Sequence, residues 1–193
     1  MKKRILCFGD SNTYGSNPAG GRFDAETRYP MRMAALLGPD YTVLEEGLGG
    51  RTVCFDDPVE GGYKSGAAYL PPCLLSHNPL DLVILMLGTN DAKQRFGMNA
   101  VGDRPRCLIV APPHIGENLP HTGLIENFGA QAIETSHGFA KEYLKISRIQ
   151  KADFLDAAQV CSPSERDAVH LTAQGHLALA GALAAKVRAL LEG

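Results

Sequence analysis

Tryptophan is absent from the 193 residues, and no apolar run approaches the length of a membrane span. An excess of charge of either sign is also missing: 19 lysines and arginines face 21 aspartates and glutamates, a net charge of −2. That balance gives no electrostatic footprint for nucleic acid or an anionic membrane, so the expected partner is a small neutral molecule. After the basic start Met1 to Arg4, only Ile5 to Phe8 precede Gly9 and Asp10, too few apolar residues for the hydrophobic part of a leader. Neither HxH nor HExxH spacing occurs, which argues against a metal site, and no cofactor is expected. Repeats, low-complexity tracts and linkers are lacking, so one domain over residues 1–193 is expected, with 45% hydrophobic side chains to build its core. The five cysteines are odd in number, and Cys7, Cys73 and Cys107 lie in strand-like or helix-like runs. They read as reduced thiols rather than a disulfide framework, which points to the cytoplasm.

What is present is an alternation. Short apolar runs at Arg4 to Phe8, Tyr41 to Leu44, Leu82 to Leu87 and Cys107 to Ala111 read as strands, with a weaker fifth at Ala152 to Leu155. The run "LVILML" is too continuously apolar for a half-exposed strand and suits a parallel sheet covered on both faces. Helical patterns lie at Arg28 to Leu37, Gly123 to Ser147 and Thr172 to Leu191. Strands alternating with helices predict an α/β fold with helices on both faces. From Gly88 to Arg106 the chain must pass between adjacent parallel strands, yet Gly97, Gly102 and Pro105 leave little room for a crossover helix. Either the crossover is abbreviated or the sequence as given omits residues there.

Open parallel sheets gather their working groups at the carboxyl ends of strands. Those ends here read "GDSNTYG", "EEGLGGRT", "GTNDAK" and "APPHIGEN", and "SERDAVHLTAQGH" follows the fifth strand. A serine delivered by a buried strand, Ser11, is a helix cap, a phosphate cradle or a nucleophile. A serine nucleophile needs a base within hydrogen-bond reach and a third group to hold the base. Asp167 and His170, three apart before the last helix, supply that pair from one tight turn: the carboxylate fixes the tautomer and stabilises the imidazolium. Attack on an ester carbonyl also creates an oxyanion, which needs donors already in place. The "GLGG" amides and the Asn90 side chain can provide them. Taken singly, Gly47, Gly49 and Gly50 do no more than shape a turn and Asn90 forms an Asx-turn; beside Ser11 and "DAVH" they read as donors.

These four blocks, in this order, resemble the GDSL or SGNH hydrolase family over nearly the whole chain. "FGDS" looks like the family's nucleophile block with Ser11, Gly50 falls at its oxyanion glycine, Asn90 in "GTND" at its asparagine, and "DAVH" at its terminal Asp167 and His170. The resemblance implies a flavodoxin-like three-layer α/β/α sandwich with a parallel sheet of about five strands. "KRILCFGDSNTYG", "YLPPCL" and "LDLVILMLGTNDAK" are similar to an arylesterase-like branch, which implies cleavage of small acyl esters, in some members acyl transfer to alcohols or peroxide, and a homo-oligomer. The sequence departs from the family in three places, one being the two consecutive glycines of "GLGGRT", from which a less rigidly aimed Gly50 amide is expected. It lacks the usual helix between "GTND" and the next strand, and Asn12 stands where an aliphatic residue follows the serine, from which a more polar acyl pocket is expected.

Two rivals have different chemistry. "SNTYGS" resembles the phosphate loop of flavodoxins, so a flavodoxin-like flavin or phosphate-binding electron carrier shares the fold. Such a carrier has no use for "DAVH" or "GTND", and no tryptophan is available to stack on a flavin. A metal-dependent hydrolase using His114, Asp167 and His170 is the second. His77, His121, His137 and His176 read as ordinary surface or helix residues, and Cys54 as packing.

Overall fold

The computed structural model describes residues 2–56, 61–93 and 106–192. In chain order the elements are β1 (Lys3–Gly9), α1 (Ser11–Tyr14), α2 (Tyr29–Leu37), β2 (Tyr41–Gly47), α3 (Gly66–His77), β3 (Leu82–Met86), β4 (Arg106–Ala111), α4 (Ile125–Phe128), α5 (Gln131–His137), α6 (Phe139–Gln150), β5 (Asp153–Asp156) and α7 (Ala173–Leu191). The five strands form one sheet in the order β2-β1-β3-β4-β5, with every neighbouring pair parallel. This is the flavodoxin-like order, whose switch point lies between β1 and β3, so a site is expected beyond the carboxyl ends of those strands.

The alternation within each strand separates two cores. Ile5 and Cys7, Leu82, Ile84 and Met86, and Leu108 and Val110 face one way, against Met33 and Leu37 of α2 and Leu179, Leu183 and Val187 of α7. Leu6, Phe8 and Val83 face the other way against Cys73 of α3, while Ile109 and Ala111 pack on Tyr143 of α6. A sheet covered on both faces explains why the "LVILML" run shows no polar alternation. Truncating Leu183, which is wholly buried, to alanine would cost about 2 to 5 kcal/mol.

Four expected strands and the weaker fifth form with ends shifted by no more than three residues, and two expected helices form within a residue of their bounds. Helix α7 starts where Thr172 Oγ1 accepts from Gly175 N at 3.1 Å. The pattern at Gly123 to Ser147 is broken rather than continuous: Gly129, with φ of 71°, ends α4, and Gly138 separates α5 from α6. Helix α3 is absent from the sequence reading because Pro71 and Pro72 lie inside it. Ser65 starts it as a cap, its hydroxyl accepting from Ala68 N, and the prolines discard backbone donors without ending the helix. Of the stretch from Gly88 to Arg106, a 3-10 turn over Asn90–Lys93 is described; the question of the crossover falls on 94–105, outside the described residues.

Candidate active site

Strand β1 ends at Gly9 and the chain turns at once into α1, with Asp10 as its cap: the carboxylate accepts from Asn12 N at 3.0 Å. Ser11 is therefore the first residue of a short helix, and it is 5% exposed. The turn is packed so closely on β2 that a Cβ on Gly47 would lie 2.1 Å from Tyr14 N, so only glycine fits there.

Asp167 and His170 sit in a self-bonded turn before α7. Asp167 Oδ1 accepts from Val169 N at 3.0 Å and His170 N at 2.9 Å, while Oδ2 lies 2.8 Å from His170 Nδ1. One oxygen thus caps the turn and the other orients the ring. The turn is closed by Ser164 N donating to His170 O at 2.8 Å, and Ala168 takes a left-handed φ of 64°, a conformation that costs a non-glycine residue free energy. Burial works against charge on Asp167, but the bonds from the His170 ring and the two amides outweigh it and hold the carboxyl below its ordinary value. The carboxylate therefore stays ionised opposite the imidazole.

Asn12 joins the two parts. Its Oδ1 accepts from Leu171 N at 3.0 Å and its Nδ2 donates to Val169 O at a long 3.5 Å. These are the residues on either side of His170, so the residue after the serine holds the backbone that carries the histidine. The expectation of a more polar acyl pocket is corrected on this point: Asn12 is 1% exposed and its amide is engaged with the histidine turn.

The other wall comes from the ends of β2 and β3. Leu48 N donates to Gly9 O and Arg51 N to Leu48 O, each at 3.1 Å, closing a turn whose tip carries Gly49 and Gly50. Gly50 is buried with φ of 74°, a value that favours glycine. Asn90 is 5% exposed and spends one side-chain N–H on Arg51 O at 3.0 Å, which leaves a second N–H on the same nitrogen. The Asp91 carboxylate accepts from Val53 N through both oxygens, at 3.0 and 3.1 Å. Gly50 and Asn90 are thus brought to one cross-braced platform. Buried Arg51 locks it to β1, donating from Nη1 to Gly9 O at 3.0 Å and to Glu46 O, with its guanidinium 4.3 Å over the Phe8 ring.

Asp10 and Asp91 are both pushed up to about 6 by burial. For Asp10 the Asn12 amide, the His170 charge and the nearby Thr89 hydroxyl oppose the rise; for Asp91 the Val53 amide opposes it and Asp10 adds to it. No sequence motif marks these carboxyls, Asn12 or Arg51 for their bracing roles. The signal available was their adjacency to the motif residues, since each stands next to Ser11, Asn90 or Gly50.

His77 and His176, expected as ordinary surface or helix residues, both lie in helices, and His176 departs from the expectation only in its burial. His176 is wholly buried, accepts from Tyr29 N at Nδ1, and is lowered to about 4 by burial and by the His170 charge. His77 is half-buried against Glu46. The ring of His114 packs on that of His137, with centroids 4.5 Å apart. Among the described residues, the group whose ligand atoms all lie within 4.8 Å of one another is Glu46, Cys73 and His77, not the His114, Asp167 and His170 of the metal rival. Cys54 is exposed rather than packed.

A parallel sheet in the 2-1-3-4-5 order places the molecule among α/β proteins of the flavodoxin-like layout. The model of the GDSL-like lipase/acylhydrolase family matches residues 7–178, and the chain belongs to that family. The native aryl esterase of M. smegmatis is similar in structure, with a TM-score of 0.88 and 36% identity over 98% of this chain and 100% of that one. Est24, a carbohydrate acetylesterase from Sinorhizobium meliloti, gives a TM-score of 0.89 and 34% identity over 98% of this chain and 100% of that chain. A carbohydrate acetylesterase family member from the same organism gives 0.86 and 31% over 99% and 100%. No protein of curated function matches the chain. The chain is a carboxylic ester hydrolase of the GDSL/SGNH type, and the electron-carrier rival is not favoured. Among the described residues no helix is long and apolar enough to cross a membrane.

Proposed function

We propose that the protein hydrolyses small acyl esters, aryl or alkyl, through an acyl-enzyme on Ser11, and passes the acyl group to alcohols or peroxide where these compete with water. The observation that carries this reading is the Asn12 side chain, which binds the nucleophile turn to both residues flanking His170. In the proposed reaction His170 takes the Ser11 hydroxyl proton as Oγ bonds to the acyl carbon, and the carbonyl electron pair moves onto oxygen. The amides of Ser11 and Gly50 and the second N–H of Asn90 receive that oxyanion. Collapse breaks the bond to the alcohol, which leaves with the proton from His170. Water or another acceptor repeats the sequence on the acyl-enzyme. Asp167, held ionised by its three donors, stabilises the imidazolium in both halves.

A sulfonyl fluoride tests the nucleophile. It should add one mass increment to the peptide containing Ser11 and abolish turnover, and Ser11→Ala should be inert. Near-native esterase activity in that variant would remove the assignment. A panel of aryl esters of increasing acyl length, with and without added alcohol, separates hydrolysis from transfer and ranks acyl preference.

A further inference from the structure

Glu46, near the end of edge strand β2, faces Tyr69, Cys73 and His77, which are spaced four residues apart along α3. That spacing stacks their side chains on one helix face. His77 Nε2 lies 2.9 Å from Glu46 Oε1, and the Tyr69 hydroxyl donates to Glu46 Oε2 at 3.3 Å. Cys73 Sγ completes the group, with the three ligand atoms of Glu46, Cys73 and His77 all within 4.8 Å of one another. Cys73 is 1% exposed, whereas the side chains of His77 and Glu46 keep 28% and 22% of their surface. The sulfur closes the cluster from the protein side, and solvent reaches the ring and the carboxylate.

A thiolate, an imidazole and a carboxylate are the donors that zinc(II) accepts together, whereas calcium and magnesium want oxygen alone. We propose that Glu46, Cys73 and His77 form a binding site for one thiophilic divalent cation of the zinc(II) type, with the Tyr69 hydroxyl or a water in the fourth position. Tetrahedral zinc holds such donors about 3.3 to 3.6 Å from one another, so the Glu46–His77 contact opens by a few tenths of an ångström as the sulfur moves in. Burial and Glu46 push the Cys73 thiol up to about 11, while the Arg51 guanidinium and the Tyr69 hydroxyl pull it down. The thiol proton is therefore released as the metal–sulfur bond forms. One dication with one thiolate and one carboxylate is neutral overall, which suits a site beside Arg51, whose guanidinium lies 5.3 Å over the Tyr69 ring. The cation would pin the edge strand to α3 directly beside the arginine that braces the Asn90 platform, a structural role apart from the reacting groups.

The full chain, stripped of metal by a chelator, is titrated with cobalt(II) and then zinc(II). One equivalent of cobalt should give a thiolate-to-metal charge-transfer band that zinc removes, with apparent affinity rising about tenfold per pH unit as one proton is released. Loss of even an outer partner of a metal ligand costs about 10- to 100-fold in affinity. Cys73→Ala and His77→Gln should therefore each weaken binding by more than about 100-fold, and Cys54→Ser should not. A folded wild-type chain without the band, a band that survives Cys73→Ala, or one that disappears in Cys54→Ser overturns the proposal. If Cys73→Ala does not fold, the partly exposed His77→Gln decides: unchanged cobalt affinity in that variant is equally fatal.

Discussion

Asp167 and Asp91 are the same side chain in two turns that flank one site, and they carry opposite charge preferences. Asp167 collects three donors, the ring of His170 and the amides of Val169 and His170, and its carboxyl is held below the ordinary value. Asp91 accepts from the Val53 amide through both oxygens and is helped by its own amide, yet burial outweighs them and pushes it up to about 6. What separates them is the number of donors set against the cost of burial. The turn before α7 keeps a carboxylate charged beside the His170 ring. The turn after β3 uses its carboxylate to tie loops together, and there a neutral acid serves nearly as well as an ion.

Breaking the first turn should have the largest effect. Asp167→Asn keeps an oxygen for the Val169 and His170 amides but presents an N–H to His170 Nδ1, which favours the wrong tautomer. Loss of kcat by about 10³ to 10⁴ is expected, with a melting temperature within a few degrees of wild type. Near-native turnover would mean that His170 does not act as a base held by Asp167.

On the second turn Asn90→Ala removes a proposed oxyanion donor. Because such a bond strengthens as the carbonyl becomes tetrahedral, kcat should fall by about 10², at the lower end of the range for one lost donor, while KM changes little. The same variant loses the bond to Arg51 O, so thermal melting is read alongside. Native-like melting with unchanged kcat on a fast aryl ester takes Asn90 out of the site.

A smaller effect is expected where the two halves join. Asn12→Leu leaves Leu171 N and Val169 O without their side-chain partner, a loss of about 1 to 3 kcal/mol in stability. If Asn12 positions His170, kcat should fall about tenfold with KM and acyl-length preference unchanged, and Asn12→Asp, which keeps the acceptor for Leu171 N, should recover part of it. A shift in acyl preference at constant kcat would instead return Asn12 to the acyl pocket.

The parts legible in the sequence were those whose signal is local. Continuous apolar runs gave β1, β3 and β4 because a sheet covered twice has no polar face, and "GDSN", "GTND" and "DAVH" were readable because the turn chemistry lies within each block. What stayed hidden depends on contacts far apart in the chain. Asn12 meets residues 169 and 171, and Arg51 reaches back to Gly9, pairings that no periodicity encodes. Helix α3 was concealed by Pro71 and Pro72, residues that ordinarily end helices. His176 stands in a run whose alanines and leucines are helical throughout, and only the packing of α7 on α2 reveals that it is wholly buried.

The smallest effect is confined to pH. Asp91 has an ordinary value of 3.8 and is pushed up to about 6 in the fold, so between those values the native state holds a proton that the unfolded chain releases. Its contribution to stability therefore falls as pH rises through that window, by at most about 3 kcal/mol, and the full cost is present above 6. Asp10, also pushed up to about 6, adds to this slope, while His176, lowered to about 4, favours the fold as pH rises from about 4 to 6.5 and offsets part of it in the wild type. Comparing Asp91→Asn with wild type cancels the histidine. The asparagine mimics the protonated acid and keeps one acceptor for Val53 N, so the melting temperatures should coincide near pH 4, and the variant should melt higher at pH 8, with kcat nearly unchanged. Equal differences at the two pH values would show that Asp91 is not held protonated by burial, and the contrast with Asp167 would collapse to one of geometry alone.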